Sequence, residues 1–391
     1  MRSSRNHPFL PVLLLGALVC FARVAGAAVE PHGAQLMPRA AQSLLIDIAR
    51  AGERLVAVGE RGHVLYSDDS GQRWTQAPVP VSVMLTAVWF LDAQRGWAVG
   101  HDGMIIATDD GGTSWRLQRD GLAEQQARDR AALEQARRDL AAREGSDTDA
   151  AALEEARLAL GEAEDRASQP AYAPPLMDVW FADADNGIAV GAYGSYLRTS
   201  DGGRSWIHDT ARIDNPDELH YYAIASGGAG RLLIVGESGA MFRSRDGGAS
   251  WEALSHAYEG TLFGALAFTP GDAVCAFGLQ GTVLVSPDFG DTWQRLDSPT
   301  ESVLAGGTIA RGGEALIVGN VGTMLAARLA TGELEDRSRV ALRDNLAGVI
   351  EAPDGSLVVI GQGGAVRVPA AKAGDSAVVA GEAGAAPAGG G

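Results

Sequence analysis

Short apolar runs of four to six residues, separated by glycine-rich polar turns, fill the chain from residue 44 to 368. Residues 85–90, 96–99, 104–108 and 115–118 form one set of four, each with the length of an ordinary strand. An apolar residue, Gly, two variable residues and Gly recur with the first glycine at Gly59, Gly100, Gly191, Gly236, Gly278, Gly319 and Gly361. The intervals are 41, 91, 45, 42, 41 and 42 residues. Gly100 and Gly103 bracket the turn between the second and third runs, where positive φ is expected. A period of about 40 to 45 residues is that of a four-stranded propeller blade. The pattern predicts an all-β fold, a seven-bladed β-propeller over residues 28–368. Its blades fall at 44–80, 83–119, 177–208, 219–254, 262–296, 303–340 and 346–368. Only three runs are evident in blade seven. An open edge is a liability, so residues 35–39 (Gln-Leu-Met-Pro-Arg) are expected to supply its outer strand.

The long interval comes from an insertion at residues 121–175 between blades two and three. Residues 122–143 are rich in Ala, Glu, Arg and Gln without Gly or Pro, as a solvent-facing helix should be. After a turn at 144–149, Leu153, Ala156, Leu160, Ala163 and Ala167 follow three- and four-residue steps, and Leu133, Ala136 and Leu140 form a matching seam. An inserted antiparallel α-helical hairpin is predicted. Long insertions in compact domains are usually functional or disordered. A connection from the outer strand of one blade to the inner strand of the next emerges on the same rim as the turns between strands two and three. That rim carries Glu60-Arg61, His101-Asp102, Ala192-Tyr193, Glu237-Ser238, Leu279-Gln280, Asn320-Val321 and Gln362-Gly363. These pairs are the candidate protein-binding residues, with the hairpin standing over them.

After five of the seven glycine pairs comes Ser/Thr-x-Asp-x-Gly-x-x-Trp. Its acid and tryptophan stand at Asp69 and Trp74, Asp110 and Trp115, Asp201 and Trp206, Asp246 and Trp251, and Asp288 and Trp293. A carboxylate in a turn between strands three and four accepts amides of its own turn, and the tryptophan can wedge between blades. These residues read as structural. Asp110-Gly-Gly-Thr-Ser-Trp115 and Asp201-Gly-Gly-Arg-Ser-Trp206 resemble the Asp-box, or bacterial neuraminidase repeat. The frame Val88-Trp-Phe-x-Asp92-x₃-Gly96-Trp-Ala-Val-Gly100, repeated from Val179 to Gly191, resembles more narrowly the photosystem II stability/assembly factor family and its non-photosynthetic bacterial relatives. The likeness covers most of residues 40–368. It implies a protein-binding assembly or accessory role. Relatives of this bacterial type are often associated with exporters of the resistance-nodulation-division (RND) class, so the implied partner is an envelope membrane complex, with an RND-type transporter as the specific case.

The chain starts with Arg2 and Arg5, an apolar run at 9–22 and Ala25-Gly-Ala27, which reads as a cleavable secretory signal over residues 1–27. The run is too short for a membrane span in the mature protein, and a periplasmic location is expected. Cleavage removes Arg2, Arg5 and Arg23 and no acid, taking the formal charge from −17 to −20. Such a balance argues against nucleic acid and anionic lipid as partners. Cys275, alone after cleavage, reads as a small core residue. Residues 369–391, mostly Ala and Gly, read as a disordered tail. A monomer without metal or cofactor is expected, with assembly through the hairpins as a further alternative.

Sialidases share the Asp-box, but their chemistry needs an arginine triad, a tyrosine nucleophile with its glutamate, and an aspartate acid/base. No Phe-Arg-Ile-Pro-like arginine motif stands near the mature N terminus, and sialidases have six blades. No Ser-His-Asp signature, phosphate loop or metal motif appears. A non-catalytic protein is expected. The alternative is a glycosidase or lyase working at the channel mouth through Glu60, Asp102 and Glu237.

Overall fold

The computed structural model describes residues 33–145, 149–255, 258–269, 271–328, 331–339 and 342–369. The leader at 1–27 and the tail beyond Pro369 lie outside them. Seven antiparallel sheets, each paired in chain order, form the blades of an all-β propeller. The strands run from the channel outward. The inner ones are Leu45–Ala51, Leu85–Phe90, Leu176–Phe181, Tyr221–Gly228, Leu262–Ala267, Leu304–Ile309 and Leu346–Glu351.

Second strands such as Val274–Gly278 and Ala315–Gly319 are buried along their whole length. A blade interior is covered on both faces by its neighbours, so these strands read as continuous apolar runs rather than alternating ones. Apolar clusters join every pair of adjacent blades. The one that closes the ring sets Leu45, Ile48 and Leu55 of blade one against Ile350, Val358 and Ile360 of blade seven. Cys275 is a buried free thiol in this packing, pushed up to about 12 by burial.

Blade seven has three strands among the described residues, and residues 35–39 do not pair with it. They run instead beside the outer strand of blade one. The Ala34 amide donates to the Val79 carbonyl at 2.9 Å, and the Met37 amide to Gln76 Oε1 at 2.7 Å. Pro38 has no amide to give a ladder, and a 3-10 turn at Ala40–Gln42 follows at once. That turn caps the start of blade seven's third strand, Gly364–Val368, where a Cβ on Gly364 would collide with the Ala41 carbonyl. Arg367 completes the junction. Its Nε donates to the Ser70 carbonyl of blade one at 3.1 Å, and it pairs with Asp354.

The turns between strands two and three depart from the sequence reading in one respect. Gly103 has φ +62°, as expected, but Gly100 is extended at −175°. Gly100 is glycine because a Cβ there would strike the Met84 carbonyl. The left-handed residues are Gly103 and the non-glycine before it, Asp102 (φ 58°). Arg61, Tyr193, Ser238, Gln280 and Val321 repeat that conformation in their own blades.

Candidate functional site

On one rim the Asp-box turns form closed hydrogen-bond circuits. Asp110 Oδ1 accepts from Thr108 Oγ1 at 2.8 Å and from the Ser114 amide at 2.9 Å, and its Oδ2 accepts the Ser114 hydroxyl at 2.6 Å. Asp201, Asp246 and Asp288 repeat this, and Asp69 takes Arg73 in place of the second hydroxyl. Donors to the charged form hold Asp69, Asp201 and Asp288 down at about 2; the largest contributors are Arg73, Ser205 and Thr292 respectively. Trp74, Trp115, Trp206, Trp251 and Trp293 each pack into the cluster shared with the preceding blade. Trp251 Nε1 also donates to Tyr196 Oη of that blade at 3.3 Å.

The opposite rim carries the helical hairpin, α1 (Gly121–Glu144) and α2 (Ala150–Ser168). Ala156 and Ala163 are buried in the seam, Leu133, Ala136, Leu140, Leu153 and Leu160 are half-buried, and Ala167 is exposed. The root is fixed to blade two. Asp120 caps the Ala123 amide at 2.9 Å, and Gly121 lies against the Asp102 carbonyl so closely that no Cβ fits. Arg119, with its side chain only 3% exposed, donates to the Gly103 carbonyl at 2.5 Å, pairs with Glu124 at 2.7 Å and contacts His208 Nε2 at 3.0 Å.

The predicted rim residues are spread around the ring, and two of them are brought together. Glu60 folds back toward the Leu44 amide, Arg61 reaches Met37 Sδ, and Asp102 is half-buried at the hairpin root. His101, Gln280 and Gln362 are exposed and Asn320 is half-buried, each on its own blade. Tyr193 and Glu237 meet through His220, which the sequence reading missed. The Tyr193 and His220 rings are 4.8 Å apart, and the His220 amide donates to Glu237 Oε2 at 3.2 Å. These rings belong to a continuous row. Tyr172, on the irregular segment returning from the hairpin, lies 6.4 Å from Tyr193; His220 lies 6.3 Å from Tyr222, and Tyr222 lies 5.1 Å from Phe263. Tyr172 and Tyr193 are more than half exposed, and Tyr222 and Phe263 line the central channel.

At the channel mouth the inner strands enclose a cavity of about 450 Å³ that touches all seven blades. Each inner strand has a bulge after its first residue. The residue past the bulge is Asp47 in blade one and Asp178 in blade three. Asp47 accepts the amides of Ile48 and, across the blade junction, Val88, both at 2.8 Å. Asp178 likewise accepts those of Val179 and Ile224, both at 2.7 Å. Burial outweighs these bonds and raises both carboxyls; Asp178 reaches about 7, with the Asp47 charge contributing. The sequence held a signal for them. In the aligned column the other blades have Ala87, Ala223, Gly264, Gly306 and Gly348, so two acids stand where the repeat otherwise has small residues.

Among the described residues no group of His, Cys, Asp and Glu is arranged to hold a metal, and no helix is long and apolar enough to cross a membrane. Residues 169–265 match the family model described as photosynthesis system II assembly factor YCF48. No curated protein sequence matches the chain. Of solved structures, "YCF48 bound to D1 peptide" aligns with a TM-score of 0.58 over 84% of this chain and 94% of that one, at 16% identity. YCF48 from Cyanidioschyzon merolae aligns at 0.58 over 86% and 98%, at 12% identity. The extracellular domain of a hybrid two component system from B. thetaiotaomicron aligns at 0.57 over 86% of this chain and 42% of that one, at 10% identity. The repeated Asp-boxes close the blades of this propeller, and over residues 169–265 the chain is similar to the YCF48 assembly-factor family.

Proposed function

We propose that the protein is a non-catalytic periplasmic binding propeller, an assembly or accessory factor for an envelope membrane complex, with an RND-type exporter as the specific partner. The observation that carries this reading is the hairpin rim. A rigid two-helix arm is clamped at its root by Arg119 and stands beside the exposed rings of Tyr172 and Tyr193. Exposed aromatics on a preorganised surface are what protein interfaces use as anchors. A fold neighbour solved as YCF48 bound to D1 peptide supports peptide binding by a propeller of this kind. The leader pattern at 1–27 and the extracellular propellers among the fold neighbours support an exported location. A non-catalytic role is supported by Asp47 and Asp178, which are already engaged by main-chain amides that join blades.

The test is crosslinking in cells from the exposed position of Arg138 on α1, followed by mass spectrometry. Reproducible capture of an exporter subunit or another envelope membrane protein is expected, and its loss when residues 122–168 are replaced by a short Gly/Ser link. Self-capture alone, or unchanged capture without the hairpin, would overturn the reading. Glycan turnover by the purified protein, abolished by Asp178→Asn with folding intact, would replace it with the enzymatic one.

A further inference from the structure

The cavity at the channel mouth has two unlike walls. Ladder alternation turns the amides of Ile48, Val88, Val179 and Ile224 toward the channel. Around blades one to four Asp47 and Asp178 take up these amides, and a polar link crosses each junction. Asp47 reaches the Val88 amide at 2.8 Å, Thr86 Oγ1 donates to the Leu176 carbonyl at 2.6 Å, and Asp178 reaches the Ile224 amide at 2.7 Å. From blade four onward the wall is apolar, built from Tyr222, Phe263, Leu266, Phe277 and Val303 with small residues between them. An acidic face therefore confronts an aromatic and aliphatic one across a space of about 450 Å³.

The bulge places both acids near the starts of the inner strands, at the end where Leu45 pairs with Gly59 beside the turn at Glu60–Gly62. That is the hairpin rim. The cavity thus opens where the row Tyr172, Tyr193, His220, Tyr222 and Phe263 arrives from the hairpin root. Among the described residues no arginine or lysine lines it and neither acid makes a salt bridge. Each carboxylate accepts two hydrogen bonds of roughly four available.

We propose that this mouth receives a lysine or arginine side chain carried on an extended segment of the partner, whose neighbouring aromatic or aliphatic residues lie along the aromatic row. The inference rests on the protein-binding reading above and names the chemistry of its site. A long basic side chain matches both walls at once, with methylenes against Phe263 and Leu266 and the charged head between Asp47 and Asp178. Two buried carboxylates without a counter-cation are costly, and the raised state of both records that cost. The cavity holds one or two side chains rather than a folded domain. The exposed rings outside it offer stacking and cation–π contacts to the flanking residues. The chain's formal charge of −17 favours a basic partner segment at longer range.

The probe is the blocked pentapeptide acetyl-Ala-Phe-Lys-Phe-Ala-amide, titrated into the mature chain at low salt and followed by the methyl NMR signals of Ala223, Ile224 and Ala265. Its norleucine counterpart and n-butylammonium serve as companions. The lysine peptide is expected to bind at least tenfold tighter than the norleucine one, with shifts centred on those methyls. Asp178→Asn should shrink the ratio to about twofold, and Tyr222→Ala should weaken both peptides alike. Equal binding of the two peptides, no binding, or shifts elsewhere would overturn the proposal, and this comparison needs no variant to fold. Butylammonium binding as tightly as the peptide would also overturn it, by assigning the site to free amines. In cells, Asp178→Asn with hairpin capture retained but a bound peptide segment lost supports the inference. Retention of both sinks it while leaving the accessory-factor reading standing, and loss of hairpin capture in the unmodified protein removes that reading itself.

Discussion

Asp47 and Asp178 occupy a position that other blades give to Ala or Gly, and the reason is local. Past the bulge, an inner-strand amide faces the channel with no partner in its own sheet, and a carboxylate one residue back can accept it together with the equivalent amide of the next blade. Hydrogen bonds to a charged acceptor stabilise by about 1.5–3 kcal/mol, but the charge must be held away from bulk water. For Asp178 burial wins, and the folded carboxyl rises from 3.8 to about 7. A carboxyl raised by folding contributes stability that is full below its unfolded pKa and is lost as pH rises through the folded value. Asp178→Asn keeps an acceptor and never charges. Its melting temperature advantage over the unmodified protein is expected to be at least about 2 °C greater at pH 8 than at pH 5, since the loss runs from 3.8 up to about 7. Melts followed by circular dichroism decide this, and an equal difference at both pH values would show that folded Asp178 carries no extra proton. His63 acts in the opposite sense. It is fully buried, neither ring nitrogen has a partner among the described residues, and burial lowers its pKa. Its contribution is present above about 6.5 and is lost as pH falls through its depressed value.

The hairpin is an element whose existence was legible and whose attachment was not. Helical spacing and the absence of Gly or Pro over 122–143 marked α1 to within a residue or two of its observed ends. Nothing in that composition pointed to Arg119, which looks like one more charge at the end of an outer strand. Its role comes from contacts distant in sequence, with the Gly103 carbonyl in the strand-two turn and with His208 of blade three. The channel acids were hidden for a similar reason. A single Asp in an apolar strand reads as noise until the repeats are aligned column by column and the bulge is seen to turn that column inward. Arg119→Met removes the clamp while keeping most of the buried volume. It is expected to raise amide exchange in the first two turns of α1 by tenfold or more, with helical ellipticity unchanged, because a helix loses local protection when its docking is lost. Unchanged exchange there would assign the docking to the close approach of Gly121 to the Asp102 carbonyl instead.

At the scale of the ring, the number of blades followed from the glycine period, but the closure did not, because it is made without a complete seventh sheet. A fourth strand borrowed from the far end of the chain is the expected cover for such an edge, and residues 35–39 are apolar enough to suggest one. Pro38 and the turn at Ala40–Gln42 divert the chain, which then lies along blade one and meets blade seven through the turn at Gly364 and the apolar packing of Ala40. Closure rests on the apolar junction of Leu45, Ile48 and Leu55 with Ile350, Val358 and Ile360, on Arg367, and on the short turn that covers the edge strand. An uncovered edge strand is a template for pairing with another chain. A chain beginning at residue 43 is therefore expected to melt several degrees below one beginning at residue 33 and to form dimers or larger species that light scattering detects. The same truncation carrying Val366→Lys should be monomeric again, since a charge on the exposed edge blocks strand pairing without restoring the lost turn. If both truncated chains stay monomeric and melt with the longer one, the N-terminal segment merely rests on the ring, and the apolar junction with Arg367 suffices to close it.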